Sequence, residues 1–139
     1  MKISLRVRDV MDTKVVMIDY NEPCIKAIEK MLENGVWSVL VAEDGLPTGV
    51  VTERDIIRRV IAKDLDIKGV RVGTIMSSPI ITIGPEEPVS KAMELMASHN
   101  IRRVYVVEEG KIIGRGTQTG AFKSLLDALM LLSELKWYL

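Results

Sequence analysis

Displaced by 65 positions, the 139-residue chain matches itself without a gap. Val10-Met11 falls on Ile75-Met76, Pro23 on Pro88, Lys26-Ala27 on Lys91-Ala92, Glu29 on Glu94 and Met31 on Met96. The run VLVAEDG at 39–45 falls on VYVVEEG at 104–110, and Gly49 and Thr52 fall on Gly114 and Thr117. An internal repeat constrains a fold more than any local propensity, because each copy must form the same unit and bury the same face. Two copies are fewer than the roughly three that a stacked solenoid needs. The expected architecture is a closed pair with pseudo-twofold symmetry.

Both copies carry the same order of elements. A β-branched apolar run (15–18, 80–83) reads as a strand. Pro23 and Pro88 open a helix, where the missing N–H of proline costs nothing. Ile25, Ile28, Met31 and Leu32 then recur at helical spacing, as do Val89, Met93 and Met96. Asn34-Gly35 and His99-Asn100 stop the helix, since Gly and Asn best tolerate a left-handed C-terminal cap. An apolar strand follows (36–42, 101–107). A tight turn at Asp44-Gly45 or Glu109-Gly110 leads to a returning strand (49–52, 112–117) and a second helix from Glu53 or Gln118. The unit is β-α-β-β-α. The fold class is α+β, with layers of the α/β type, in two repeats spanning 7–65 and 72–135. Residues 63–71, polar and charged, read as the connector. The glycine-rich GRGTQTG at 114–120 predicts a bulge or weakened pairing in the second copy.

Composition narrows the function. With 47% hydrophobic and 27% charged residues, the chain suits a folded soluble protein. Nineteen basic and nineteen acidic residues leave a net charge of +0, so no global field draws nucleic acid. One cysteine, Cys24, excludes a disulfide within the chain and a multi-thiolate metal site. One histidine, His99, leaves little for a histidine-based metal or triad site and sits where a helix C-terminus favours a cation. Cys24 is expected as a buried, inert thiol and the eight methionines as core filler. The N-terminus does not read as a signal peptide. The apolar stretch 121–139 carries Lys123, Asp127, Glu134 and Lys136, a poor membrane span. A cytoplasmic protein without a membrane partner is expected. Leu125, Leu126, Leu129, Leu132 and Leu135 form a stripe that reads either as core packing or as a subunit contact. Trp137 and Tyr138 form an aromatic tail suited to packing on a partner. No Gly-x-Ser-x-Gly, Walker A, zinc motif or nucleophile–base pair appears, so an enzyme is not expected.

The segment Thr52-Glu53-Arg54-Asp55 admits two readings. As a capping box, Thr52 accepts the N–H of Asp55 and Asp55 reaches back to the N–H of Thr52. As a ligand site, the same carboxylate accepts hydrogen bonds from hydroxyl donors, while the positive helix end favours an anion. The two are compatible, because a capping carboxylate keeps spare acceptor sites. Gly49 leaves room for close backbone approach. In the second repeat Gly120 stands where Asp55 stands in the first, and Arg102-Arg103 replace Trp37-Ser38.

These segments resemble a tandem CBS domain, the cystathionine-β-synthase domain pair or Bateman module. The resemblance runs from Val7 to Leu135. VRDVM and VGTIM ahead of each repeat, NGVWSVLVAEDG and HNIRRVYVVEEG within them, and above all GVVTERDI at 49–56 carry it. It implies a regulatory sensor of an adenosine-containing ligand (AMP, ADP, ATP or S-adenosylmethionine) acting on a separate protein, and a homodimer.

The resemblance also implies a composite pocket, with the ribose acid from one repeat and the phosphate cations from the other. Carried onto this chain, Asp55 and Thr52 hold ribose, Arg102 and Arg103 reach phosphate, Val50, Ile81 and Thr82 border the adenine, and Tyr105 lines the pocket. Strand alternation sets the two arginines on opposite sides, with Arg103 the better aimed. Arg54, Arg58 and Arg59 read as an exposed helix face, with Arg54 able to approach a phosphate tail. The converse pocket, with Gly120, Trp37 and Ser38, lacks acid and cations, and Trp37 is expected to fill it. One competent site per chain follows. The alternative is a ligand-free dimeric scaffold in which Asp55 only caps its helix.

Overall fold

The computed structural model describes residues 6–135. Two compact units form: the first from residues 14–80, the second from the residues up to 13 together with those from 81 onward. The first unit holds β1 (Met17–Asp19), α2 (Cys24–Asn34), β2 (Ser38–Glu43), β3 (Leu46–Thr52), α3 (Glu53–Ile56) and α4 (Val72–Ile75). The helix of α3 continues through a π-helical turn at Ile57–Ile61. The second unit holds α1 (Val7–Val10), β4 (Thr82–Ile83), α5 (Val89–His99), β5 (Arg103–Glu108), β6 (Lys111–Thr117) and α6 (Gln118–Leu135).

Each unit has a three-stranded sheet, in the orders β1-β2-β3 and β4-β5-β6. The first pair is parallel and the second is an antiparallel hairpin in both. The repeat reaches down to irregularities. The hairpin register slips between Val41 and Ala42 and between Val106 and Val107. The turns at Asp44-Gly45 and Glu109-Gly110 have positive φ at both central residues, the twist that joins antiparallel strands without splaying them. Gly35 (φ 62°) and Asn100 (φ 52°) end α2 and α5 in the left-handed conformation.

One face of each sheet and the helices it carries enclose a core. In the first unit Ile18, Ala27, Met31, Val39, Val41, Val51, Ile56 and Val60 are buried together with Cys24. In the second, Val7, Ile83, Val89, Ala92, Met96, Val104, Val106 and Ala121 are buried together. Burial pushes the Cys24 thiol up from its ordinary pKa, consistent with an inert core thiol.

Of the bulge or weakened pairing expected from GRGTQTG, the bulge is present, at Ile113 beside Gly114, with a counterpart in the first hairpin, while the pairing itself is not weakened. β6 is paired from Lys111 to Thr117 and is as long as β3. The physical reason is close approach. A Cβ on Gly114 would lie 2.6 Å from the carbonyl oxygen of Asp12, and one on Gly49 would lie 2.9 Å from that of Ser77. Both glycines let a neighbouring segment pair with the strand edge.

Those neighbouring segments are exchanged between the repeats. The segment that leads the first repeat packs in the second unit, and the segment that leads the second repeat packs in the first. Val7 and Arg8 donate their N–H groups to the carbonyls of Glu87 and Pro85, while Val72 and Gly73 donate to Glu22 and Tyr20. Asp12 and Arg115 exchange two backbone hydrogen bonds, and Ser77 and Val50 do the same. Every donor and acceptor in one set corresponds by the 65-residue displacement to one in the other.

The leucine stripe of α6 is not core. Ala121 is the buried residue of this helix, whereas Leu129 and Leu132 are 55% and 60% exposed. Leu125, Leu126 and Leu135 are exposed as well. Trp137 and Tyr138 lie outside the described residues. Among the described residues, no helix is long and apolar enough to cross a membrane.

Candidate ligand site

Strand β3 delivers the chain to the start of α3 with Thr52 in extended conformation, the backbone state an N-cap requires. The capping box forms in full. Asp55 N–H donates to Thr52 Oγ1 at 3.2 Å, and Thr52 N–H donates to Asp55 Oδ2 at 2.9 Å. The Thr52 hydroxyl also lies 3.1 Å from Oδ2. The other carboxylate oxygen, Oδ1, accepts the hydroxyl of Ser77 at 3.0 Å. Asp55 is thus 8% exposed and held from two directions, by its own helix start and by the segment that follows α4.

Arg59 is exposed, as the sequence expectation has it, and it also makes contacts that the sequence does not show. Its Nη1 donates to the carbonyls of Ile75 and Met76 at 2.8 and 3.0 Å, and its Nε stands 3.9 Å from Asp55 Oδ1. The π-helical turn, closed by a bond from Ala62 N–H to Ile57 O, carries Arg59 within it. The guanidinium therefore anchors the end of α4 and adds positive charge beside Asp55. The arrangement offers hydroxyl donors a fixed carboxylate, on which Oδ1 keeps a second lone pair while Oδ2 is taken by the N–H and hydroxyl of Thr52.

The eight expected site residues fall into two sets. Val50, Thr52 and Asp55 lie together in the first unit, Val50 and Thr52 on β3 and Asp55 just beyond it. Ile81, Thr82, Arg102, Arg103 and Tyr105 lie in the second. Parallel pairing sets Thr82 beside Tyr105, whose N–H donates to Ile81 O. Tyr105 is buried, Arg103 is half-buried at the start of β5, and Arg102 is exposed, with its carbonyl accepting the N–H of Gln118.

The second unit handles the equivalent position differently. Thr117 Oγ1 accepts the N–H of Gly120 at 3.0 Å, so half of the capping box survives without the acid. Arg115 stands where Val50 stands in the first unit, and Asp12 where Ser77 stands. Their side chains form a two-pronged ion pair, with Nε to Oδ1 at 3.0 Å and Nη2 to Oδ2 at 2.8 Å. The Arg115 side chain is 8% exposed. Trp37, expected to fill the degenerate pocket, is 60% exposed. The buried group at the acid-free position is Arg115.

Sequence reasoning missed Ser77, Arg59 and the Asp12–Arg115 pair. The signal for two of them was present, because the repeat alignment sets Asp12 on Ser77 and Val50 on Arg115. It shows opposite charges at two positions of one copy and neutral residues in the other. Among the described residues no group of His, Cys, Asp and Glu could hold a metal ion.

The CBS domain family model matches residues 7–62 and 72–133. The chain is a tandem CBS-domain protein. The CBS domain-containing protein YhcV of Bacillus subtilis is 32% identical over 108 residues, which is 78% of this chain and 76% of that protein. An uncharacterized protein of Methanopyrus kandleri is 34% identical over 113 residues, 80% of this chain and 58% of its own length. The chain thus spans under two thirds of that relative. Among solved structures, a conserved protein from Pyrococcus horikoshii superposes with a TM-score of 0.78 at 32% identity, covering 92% of this chain and 94% of that one. A CBS domain protein from Pyrobaculum aerophilum, solved complexed with AMP, has a TM-score of 0.75 at 29% identity, covering 84% and 89%.

Proposed function

We propose that this CBS-domain protein is a regulatory sensor, not an enzyme, that binds one adenosine-containing ligand per chain and signals to a separate protein. AMP, ADP, ATP and S-adenosylmethionine are the candidates. The observation that carries the reading is the state of Asp55: a near-buried carboxylate, fixed by Thr52 and Ser77, at the start of a helix. Its fixed position lowers the entropic cost of meeting two vicinal hydroxyls. In this proposal Thr52 and Asp55 hold the ribose, Val50, Ile81 and Thr82 border the adenine with Tyr105, and Arg102 and Arg103 meet the phosphate. The AMP complex of the Pyrobaculum relative supports the ligand class.

One site per chain is supported by the second unit, where Gly120 replaces the acid and the Asp12–Arg115 pair holds the neighbouring positions. We place the protein in the cytoplasm on the same reading. The exposed apolar face of α6 favours a homodimer, because a monomer gains nothing by keeping several large leucines in water. A ligand-free scaffold would use that same face and leave Asp55 as a cap alone.

Thermal melting with AMP, ATP and S-adenosylmethionine separates the two. A ligand that binds the native state raises the melting temperature. The proposal expects at least one of the three to do so, and no shift with any of them at millimolar concentration contradicts it.

A further inference from the structure

A cleft of about 550 Å³ opens in the first unit, on residues other than the eight expected to hold the adenosine ligand. Arg59, Lys63 and Arg71 line it, with Thr74 and an apolar floor that includes Leu65 and Val70. Among the described residues no carboxylate lines it. We propose that this cleft is a second, separate anion site, which takes a small molecule bearing two or more phosphate charges.

Three cations around one concavity repel each other, an arrangement that an anion relieves. Two of them are already oriented. Arg59 is fixed by the carbonyls of Ile75 and Met76, and Arg71 Nη1 lies 3.4 Å from the side-chain oxygen of Asn21. Prior orientation lowers the entropy lost on binding. An arginine so held keeps other N–H donors of its fork for a phosphate. Lys63, exposed at the rim, supplies a mobile third charge.

The volume lies within the range of small-molecule pockets, about 300–1,000 Å³. A long polyanion is disfavoured, because Asp64 and Asp66 lie in the loop between Lys63 and Arg71. The Asp66 carboxylate accepts the N–H of Lys68 and stays in that loop. Two of the three cations are particular to this unit, whereas Arg71 falls on Arg6. In the repeat alignment Arg59 and Lys63 fall on Ser124 and Ala128, and Thr74 falls on Asp9.

Calorimetric titration of the full chain with inorganic pyrophosphate at constant ionic strength tests the site, with inorganic phosphate as comparator. Expected are saturable binding of one pyrophosphate per chain and weaker binding of phosphate. In Lys63→Met and in Arg71→Met the affinity is expected to fall about tenfold, the size of one charge-assisted contact. Lys63→Met, an exposed change, is expected to melt as the wild type does. Absence of saturable binding overturns the proposal. So does full affinity in both Lys63→Met and Arg71→Met, which would place the anion elsewhere on the chain. Failure of adenosine ligands to bind leaves this experiment unaffected, and the converse holds too.

Discussion

The Ser77 hydroxyl donates to Oδ1 of Asp55 at 3.0 Å, and this bond joins the leading segment of one repeat to the helix start of the other. The partner atom Oδ2 serves the capping box. One carboxylate thus holds together a helix N-terminus and an exchanged segment, and the two jobs separate by mutation. Thr52→Ala removes the cap and is expected to cost about 1 kcal/mol of stability. It leaves the acid in place, so most of the ligand affinity survives. Asp55→Ala removes cap, anchor and acid together. It is expected to cost about 2 kcal/mol and to abolish measurable adenosine-ligand binding. Denaturant melts and titration calorimetry on the two variants read both effects.

Arg115 and Asp12 close the equivalent position of the second unit. Arg115→Val strands the Asp12 carboxylate without its cation and is expected to destabilise the protein by about 2 kcal/mol, less than the loss from a fully buried pair, because the Asp12 side chain is 36% exposed. The triple change Asp12→Ser, Arg115→Val and Gly120→Asp copies the first unit's residues into the second. A Cβ on Gly120 meets Thr117 Oγ1 and the carbonyl of Val10, each at 3.2 Å, so the new side chain fits with a shift of a few tenths of an ångström. A restored capping box is the expected result, seen as higher stability of the triple variant than of the same protein with Gly120 kept.

Gly73 lies where α4 meets Tyr20, and any Cβ there would overlap the aromatic ring. Gly73→Ala is expected to lower stability by about 1–3 kcal/mol, the range for overpacking. Since α4 leads into Ser77, the same change is expected to weaken ligand binding. Paired denaturant melts and titrations check this.

Glu86 carries a pH signature. The hydrogen bond from Arg8 holds its carboxyl below the usual glutamate range, and Arg6 adds to the effect. A carboxyl depressed in the folded state contributes stability above its unfolded pKa, and that contribution is lost as pH falls through the folded pKa. Arg8 is correspondingly raised, first by Glu86 and then by Glu108. Glu86→Gln is expected to flatten the acid limb of the stability curve below the ordinary glutamate range while changing little at neutral pH, since the pair is exposed and screened. Melting temperatures from pH 3 to 7 for both proteins report this.

Much of the fold was legible because the repeat is legible. The positive-φ turns, the Gly35 and Asn100 caps and the Thr52–Asp55 box are each written in a few adjacent residues whose local chemistry dictates the outcome. The exchange of leading segments was not legible. VRDVM and VGTIM are short and apolar on one side, and nothing within them specifies which copy supplies the carbonyls of Glu87 or Glu22. The glycines of GRGTQTG were legible as a bulge but not as full-length pairing, since a glycine admits a neighbouring chain as readily as it weakens a strand. The leucines of α6 could not be assigned from spacing, because helical periodicity marks a face without saying what lies against it. Ser77 and Arg59 escaped because each acts across a sequence gap on an atom that local pattern does not see.

The most direct test of the central claim is the stoichiometry of AMP binding by titration calorimetry, run on the wild type, Asp55→Ala and Gly120→Ala. The account predicts one AMP per chain in the wild type, none in Asp55→Ala and one in Gly120→Ala. Two per chain in the wild type, or binding that survives in Asp55→Ala and disappears in Gly120→Ala, would contradict it.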